Sequence, residues 1–306
     1  MDSTSGPSWE YLKLYFGTQS ERADAFLAEL CRRMSASRSI DKWFFLRYVD
    51  ETGFHVRLRF LPKAGEQEHT SALVRRDCGE MLDRMYDFLP GTYRPMVSLP
   101  DYMTDGVEVP QVDPRLRIAS DAYVPESDKY GRGEALAIAE GVFHLSSTLA
   151  GRILRDEEVG LYSRKTLAPW LMHEPAAAFP SRRAAEYWAQ YSLYWLGGDS
   201  PAAQDWRQRF KLKADELREA GHPVLQAEAE LPVEAAGVVR DWRAGLLEAA
   251  RGYRALGDGA GVRRDVLSLN FSHLMMNRLG IATLEESYLA TLLEMAQQDE
   301  PERAVA

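Results

Sequence analysis

Two hydrophobic periods alternate along the N-terminal part of the chain: a period of two, typical of strands, and a period of three to four, typical of helices. The predicted elements, in chain order, are a strand at 11–16, a helix at 20–36, strands at 43–49 and 55–60, a helix at 67–88 and a strand at 117–124. Ser20 is the expected N-cap of the first helix. A proline-rich connection before the last strand has room for a short strand at 93–99. The order β-α-β-β-α-β predicts a ferredoxin-like antiparallel sheet layer.

From about residue 132 onward the apolar spacing is helical. The predicted helices span 133–155, 180–196, 201–220, 233–255, 262–279 and 283–298. Prolines mark three helix starts and glycines three helix ends, at Pro180, Pro201, Pro232, Gly197, Gly221 and Gly280. The fold class is therefore α+β, with a larger helical C-terminal part behind the sheet layer. We expect one unit over 1–306, with a sheet-containing part (1–131) and a helical part (132–298) that share one core, and a tail at 299–306.

Composition narrows the class of protein without naming a function. The chain has 306 residues, 45% of them hydrophobic, and 37 Lys and Arg against 46 Asp and Glu give a net charge of −9. A protein of this charge is a poor general binder of nucleic acids or membrane surfaces. Two cysteines cannot build a disulfide framework or a multi-cysteine zinc site. Because the N-terminus lacks a signal-peptide pattern, we expect a cytoplasmic protein.

The strand at 55–60 carries the most informative local pattern. Its side chains alternate, so His55, Arg57 and Arg59 share one face while apolar residues occupy the other. Two guanidiniums roughly 7 Å apart can clamp a carboxylate or an enolate, since each offers planar bidentate donors. The alternative, an ordinary solvated sheet face, remains open at this point.

A loop at 123–133 leaves the last predicted strand and enters a helix. It brings Glu126, Lys129 and Tyr130 to a helix start, although its glycines lack the spacing of a nucleotide-binding loop. A solvated turn with a run of charges is the alternative interpretation.

The helix at 262–279 is apolar on all sides, which predicts burial. Asn270, His273 and Asn277 nevertheless recur every three or four residues and form a polar stripe, which needs partners or lines a cavity. A lone buried histidine such as His273 is more often structural than catalytic. The remaining histidines show no spacing of metal ligands, so we expect no metal and no cofactor.

Taken in order, these segments resemble one known family. The matching motifs are Trp-x-Tyr-Leu-Lys-Leu-Tyr at 9–15, Trp-Phe-Phe-Leu-Arg-Tyr at 43–48, His-Val-Arg-Leu-Arg-Phe at 55–60, Tyr-x-x-Glu-x-x-Lys-Tyr-Gly at 123–131, Ala-Glu-x-x-Phe at 139–143 and His-Leu-Met-Met-Asn-Arg-Leu at 273–279. Nearly the whole chain thus resembles the C-terminal glutamate-elimination domain of class I lantibiotic dehydratases, which also stands alone in thiopeptide biosynthesis.

The resemblance implies roles for five residues. Arg57 and Arg59 match the arginine pair that holds the glutamyl group and stabilises the enolate, and Glu126 matches the glutamate of the Tyr-x-x-Glu motif. His273 matches a histidine implicated in proton transfer, while Lys129 stands where eliminases usually have arginine. We expect substrate contacts from their neighbours His55, Tyr130, Asn270, Asn277 and Arg278.

Three functions are compatible with this resemblance. The favoured one is elimination of glutamate from glutamylated Ser or Thr of a precursor peptide, leaving dehydroalanine or dehydrobutyrine. The second is a pyridine synthase that joins two dehydroalanines by a formal [4+2] cycloaddition and releases the leader peptide. Arg132 in place of a second glycine, and Ser146 where Asp is frequent, are departures that suit the second function. The third is a non-catalytic scaffold that binds the precursor.

The resemblance also implies partners. The substrate is a ribosomally made peptide with a leader and a core, and leader binding by strand addition to the sheet is the simplest mode. A tRNA-dependent glutamylating unit is too large to fit in this chain, so we expect it on a separate protein. We expect no direct contact with nucleic acid or membrane, and a homodimer stays open.

Overall fold

The structure is a computed structural model that describes residues 8–17, 20–86, 115–180, 184–221 and 227–303. The strands are β1 (Glu10–Phe16), β2 (Ile40–Asp50), β3 (Gly53–Pro62) and β4 (Leu116–Ser120). The helices are α1 (Ala23–Ala36), α2 (Gln67–Tyr86), α3 (Ser127–Tyr130), α4 (Glu134–Glu158), α5 (Arg164–Ala178), α6 (Ala184–Trp195), α7 (Pro201–Glu219), α8 (Val233–Leu256), α9 (Arg264–Leu279) and α10 (Thr283–Arg303).

The strands form one antiparallel sheet in the order β2-β3-β1-β4. This confirms the predicted ferredoxin-like layer, in which the first and third strands of the chain lie in the centre. Leu14 of β1 lies opposite Val56 of β3, so both side chains belong to one apolar face. Helix α1 packs on that face, where Phe26 meets Phe16 edge-on at 5.0 Å. The opposite face carries the arginines of β3.

Helix α4 joins the sheet to the helical part, since it packs against α1, β2, α8 and α9. Its contact with α1 is close: a Cβ added at Gly151 would lie 2.2 Å from the Cβ of Cys31. One apolar core runs through both parts of the chain, from Phe45 on β2 to Val239 on α8 and Met276 on α9. The sheet is thereby held firmly against the helices.

Side chains from two helices cover the outer edge of β2. The Asn277 side chain of α9 accepts from the Arg47 amide at 2.9 Å and donates to the Arg47 carbonyl at 2.9 Å. Ser147 of α4 accepts from the Phe45 amide at 3.2 Å, and the Nδ1 of His144 lies 3.0 Å from the Trp43 carbonyl. These contacts pair the backbone groups of an edge strand without a fifth strand.

Helix α5 was not among the predicted helices, because Pro169 and Pro175 interrupt its pattern. The freed backbone groups find other partners. Pro175 cannot donate to the Leu171 carbonyl, and that oxygen accepts from the indole of Trp242 at 3.0 Å. The Ser163 side chain caps the first turn by accepting from the Lys165 amide. Tertiary packing therefore overrides the two prolines.

Other predicted boundaries differ by small amounts. Ser20 opens a 3-10 turn rather than capping α1, whose N-cap is Arg22. The last strand ends at Ser120 rather than at 124. The predicted strand at 93–99 lies outside the described residues. The helix stops at Gly197, Gly221 and Gly280 are confirmed, each with a positive φ.

In the part of the chain that the structure describes, each helix is too short or too polar to cross a membrane.

Candidate functional site

The polar face of the sheet gathers cations and aromatic rings. Arg57 lies opposite Lys13 of β1, and Arg59 lies opposite Tyr11. Residues directly opposite in an antiparallel pair point to the same side, so β1 and β3 build this face together. Lys13 is paired with Asp121 at 2.6 Å. Among the described residues, no carboxylate lies within 4 Å of a guanidinium nitrogen of Arg57 or Arg59, so neither charge is neutralised by an ion pair.

Arg59 is 9% exposed and lies among aromatic rings. Its guanidinium carbon lies 4.5 Å from the ring centre of Tyr11, 5.4 Å from Tyr123 and 5.5 Å from Phe44. Burial lowers the pKa of Arg59, and the nearby Arg57 acts in the same direction. Its Nε has no hydrogen-bond partner in the described segments. A buried cation with a free donor and no carboxylate is the arrangement that an anionic ligand would complete.

Arg57 is held by two neighbours. Its guanidinium lies 3.2 Å from the ring centre of Tyr48, and its Nε donates to the Nε2 of His55 at 3.4 Å. Burial lowers the pKa of His55 to about 4, so this histidine is neutral at pH 7. One tautomer satisfies its surroundings: Nδ1–H donates to the Gly53 carbonyl at 3.3 Å, and Nε2 accepts from Arg57. His55 is thus a positioning residue for Arg57.

The loop after β4 forms the rim of this face. Glu126, the N-cap of α3, and Lys129 within α3 pair at 2.7 Å, and each side chain is about half exposed. Glu126 is close enough to raise the pKa of Arg59 electrostatically, against the larger effect of burial. The structure therefore brings Arg57, Arg59 and Glu126 into one electrostatic neighbourhood, with Lys129 occupied by Glu126.

Tyr130 forms the inner wall. It is buried, stacks on Phe271 of α9 with ring centres 5.7 Å apart, and meets Phe143 of α4 edge-on at 4.7 Å. Its backbone carbonyl accepts from the Tyr253 hydroxyl at 2.8 Å. Gly131 follows with φ +84°, and a Cβ there would lie 2.5 Å from the Ala260 carbonyl oxygen. Only glycine fits this turn, which sets the entry of the chain into α4.

Arg278 lies behind that wall and is fully buried. Its Nε donates to Ser147 at 2.9 Å and its Nη1 to the Leu274 carbonyl at 2.9 Å, while Nη2 has no partner in the described residues. Burial lowers the pKa of Arg278 to about 9, Tyr130 opposes that effect and Arg59 adds to it. The interior side of the site is therefore also cationic.

Glu140 is a further residue of the site that the sequence reasoning did not assign a role. It is buried on α4 and accepts a hydrogen bond from the Tyr123 hydroxyl at 3.2 Å. Burial raises the pKa of Glu140. A signal was present in the sequence, because a carboxylate sits beside Ala139 and three residues from Phe143 on an otherwise apolar helix face.

His273 lies elsewhere. Its Nδ1 lies 3.0 Å from Glu286 of α10, which also accepts from Tyr191 of α6 at 2.7 Å, and its ring packs on Trp195 at 4.3 Å. Residues two apart on a helix point about 200° from each other, so His273 faces away from Phe271 and the wall at Tyr130. The arginines and Glu126 therefore lie at one face of the sheet and its rim, and these contacts do not place His273 with them.

The rest of the polar stripe on α9 is satisfied locally. Asn270 donates to the Val266 carbonyl at 2.7 Å, and Asn277 is occupied at the β2 edge. The stripe therefore has partners in the described residues rather than lining a cavity.

Two cavities lie among the described residues, and neither is lined by a predicted site residue. A cavity of about 370 Å³ lies between α1 and α2, lined in part by Leu30, Val74 and Cys78, and one of about 220 Å³ lies between α5 and α8. Within the described ranges, no three His, Cys, Asp or Glu side chains are grouped to hold a metal. Burial raises the pKa of the thiols of Cys31 and Cys78 to about 12, so neither is a reactive thiolate at pH 7.

Comparison with solved structures shows several similar folds, among them those of MibB, TbtD and TsrL. A tRNA-dependent lantibiotic dehydratase, MibB from Microbispora sp. 107891, is 19% identical with a TM-score of 0.60; 97% of this chain aligns to 29% of that one. The pyridine synthase TbtD from thiomuracin biosynthesis is 17% identical with a TM-score of 0.67, over 95% of this chain and 98% of that one. TsrL is 16% identical with a TM-score of 0.56, over 97% of this chain and 96% of that one.

Comparison by sequence gives the family. No curated protein matches the chain significantly. The family described as "Lantibiotic biosynthesis dehydratase C-term" matches residues 9–297, which is nearly the whole chain. The protein therefore belongs to the family of lantibiotic dehydratase C-terminal domains.

Proposed function

We propose that this protein is an enzyme of lantibiotic or thiopeptide biosynthesis that eliminates glutamate from glutamylated Ser or Thr of a precursor peptide. The observation that carries the proposal is Arg59: a buried guanidinium, caged by aromatic rings, whose Nε has no partner among the described residues. Burying such a cation costs free energy unless a bound anion pairs with it. The glutamyl carboxylate and the enolate are anions of this kind.

The reaction needs a base, an anion site and no redox partner. A base takes the Cα proton, the Cα–H electrons pass through an enolate into the Cα=Cβ bond, and the ester-linked glutamate leaves with the electrons of the Cβ–O bond as a carboxylate. Arg59 and Arg57 stabilise the enolate and the departing carboxylate by fixed donors in a water-poor site. His55 keeps Arg57 in place, Tyr130 and Arg278 close the inner wall, and Glu126 and Lys129 bound the entrance.

His273 is one candidate for proton transfer. The resemblance gives it that role. Its Nδ1 is in contact with Glu286, while Nε2 has no hydrogen-bond partner among the described residues, and the side chain is 25% exposed. Asn270 and Asn277 lie one turn to either side of it. To act on a substrate at Arg59, His273 would have to be reached from the α6–α10 side of α9, and a His273→Asn variant tests whether it takes part at all.

Pyridine synthesis is the second candidate function. Two observations favour it: the match to TbtD covers nearly all of both chains, and Lys129 supplies a point charge where a bidentate guanidinium would suit a carboxylate clamp. In that case Arg57 and Arg59 polarise amide oxygens of the two dehydroalanine segments. A non-catalytic scaffold for the precursor is the remaining alternative, and the buried Arg59, whose Nε has no partner among the described residues, argues against it.

The proposed partners follow from the chemistry. The substrate is a ribosomally made peptide with a leader, and a separate tRNA-dependent protein attaches the glutamate. The first of the similar structures, MibB, is a tRNA-dependent lantibiotic dehydratase, and this chain spans about 29% of its length. We place the reaction in the cytoplasm, without direct binding of nucleic acid or membrane, and strand addition at the sheet is the proposed mode of leader binding. No metal or cofactor is required.

Mass spectrometry after incubation with two peptides tests the proposal. One peptide carries glutamylated Ser behind its leader, and the other carries two dehydroalanines. Loss of glutamate from the first supports elimination. Ring formation with leader release from the second supports the pyridine synthase. Binding of either peptide without any mass change would leave only the scaffold.

A further inference from the structure

The pair Tyr123 and Glu140 lies beside Arg59 and has no assigned role. We propose that the Tyr123 oxygen accepts the substrate's Cα proton while the phenolic proton of Tyr123 passes to Glu140. Glu140 is then a positioning residue that acts through Tyr123. This inference rests on the proposed elimination.

The geometry links the pair to the anion site. The Tyr123 ring is one wall of the aromatic cage, 5.4 Å from the guanidinium carbon of Arg59, and it meets Trp9 edge-on at 5.5 Å. Its hydroxyl donates to Glu140 at 3.2 Å. A substrate carboxylate or enolate on Arg59 is therefore next to a tyrosine whose proton already has an acceptor.

Glu140 is hard to explain as a structural residue. It is 8% exposed, and no Lys, Arg or His nitrogen of the described chain lies within 4 Å of its carboxylate. A buried carboxylate without a cation usually costs stability, and an apolar or amide side chain would pack there more favourably. Trp9 and Lys42 also act on the Glu140 carboxylate. Each lowers its pKa, but by less than burial raises it. A buried acceptor held at this cost fits a role in proton transfer.

The step balances without a further reactant. The Cα proton passes to the Tyr123 oxygen as the phenolic proton passes to Glu140, so tyrosine stays neutral throughout. The Cα–H electrons form the Cα=Cβ bond, the Cβ–O bond breaks, and glutamate leaves as a carboxylate on Arg59. Glu140 then returns its proton through Tyr123 to water.

Two conservative variants separate the roles. Tyr123→Phe removes the hydroxyl, and Glu140→Gln keeps an oxygen that can accept from Tyr123 but cannot take up its proton at pH 7. With glutamylated peptide, we expect kcat for glutamate release to fall about 100-fold or more in each, while KM changes less than about threefold. Glu140→Asp retains a carboxylate and should recover part of the loss. The Cα-deuterated peptide should show a larger isotope effect in Tyr123→Phe than in the parent.

A matched control uses another tyrosine that donates to a carboxylate of the same helix. Tyr162 is buried and donates to Asp156 of α4 at 2.7 Å, away from the arginine face. Tyr162→Phe should leave kcat unchanged. The thermal midpoint of Glu140→Gln should equal or exceed that of the parent, which excludes unfolding as the cause of inactivity.

The outcomes are distinguishable. If the parent protein releases glutamate and either Tyr123→Phe or Glu140→Gln keeps its kcat within threefold, the inference is wrong while the proposed function stands. If the parent releases no glutamate at all, the proposed function fails and the inference fails with it.

Discussion

The Nε of Arg57 donates to the Nε2 of His55 across 3.4 Å, and this histidine is fully buried in the sheet. The contact works only while His55 is neutral, because a protonated ring has no acceptor and would repel the guanidinium. The orientation of Arg57 and the acid stability of the fold are therefore coupled through one side chain.

That coupling predicts a pH dependence of stability. Burial lowers the pKa of His55 from 6.5 to about 4 in the folded chain, so the unfolded chain binds the proton more tightly between these values. The contribution of neutral His55 is complete above pH 6.5 and is lost as the pH falls toward 4. From pH 7 to pH 5 we expect this residue to cost about 2 kcal/mol of unfolding free energy.

Urea unfolding of His55→Asn at the two pH values checks this prediction. The variant should lose less stability between pH 7 and pH 5 than the parent does. His69 is exposed on α2 and supplies the control, because His69→Asn should keep the slope of the parent. An equal slope in all three proteins would contradict the assignment of His55.

We predict that the main effect of substituting Asn277 is a loss of stability. Its amide pairs both backbone groups of Arg47 at the covered edge of β2. Asn277→Ala leaves a donor and an acceptor without partners, so the free energy of unfolding should fall by about 2–3 kcal/mol.

Asn270 is the matched control for that variant, since its side chain only returns to the Val266 carbonyl of its own helix. Asn270→Ala should cost less than about 1 kcal/mol. Denaturant midpoints of the two variants give the comparison, and a smaller loss in Asn277→Ala would show that the edge pairing is unimportant.

Lys129 distinguishes the two candidate reactions. Its ion pair with Glu126 is half exposed, so Lys129→Gln should change stability by less than about 1 kcal/mol. For an eliminase, Lys129→Arg supplies bidentate donors and should maintain or raise the rate of glutamate release, while Lys129→Gln lowers it. Initial rates of glutamate release and of ring formation, both measured by mass spectrometry, decide between the two reactions. Ring formation by the parent that is lost in Lys129→Arg would favour a lysine-specific role in cycloaddition.

Much of this site followed from local pattern. Alternation in one strand placed Arg57 and Arg59 on a common face, and the element order β-α-β-β-α-β predicted the ferredoxin-like sheet. The direction in which His273 points could not be predicted. Helical spacing shows which residues share one face of a helix, but not which neighbouring helix packs against that face. Glu140 lies in a motif that matches the family, but its role could not be predicted, because its partner Tyr123 comes from a loop whose path depends on tertiary packing.

The most direct test of the central claim is release of free glutamate from glutamylated peptide by the parent protein and by Arg59→Ala. Arg32→Lys, at an exposed position of α1, is the control, with its charge and its Glu29 pair preserved. The account predicts that the parent and Arg32→Lys release glutamate and leave a dehydrated peptide, while Arg59→Ala, folded by circular dichroism, is slower by about 100-fold or more. Release by Arg59→Ala at the parent's rate would contradict it.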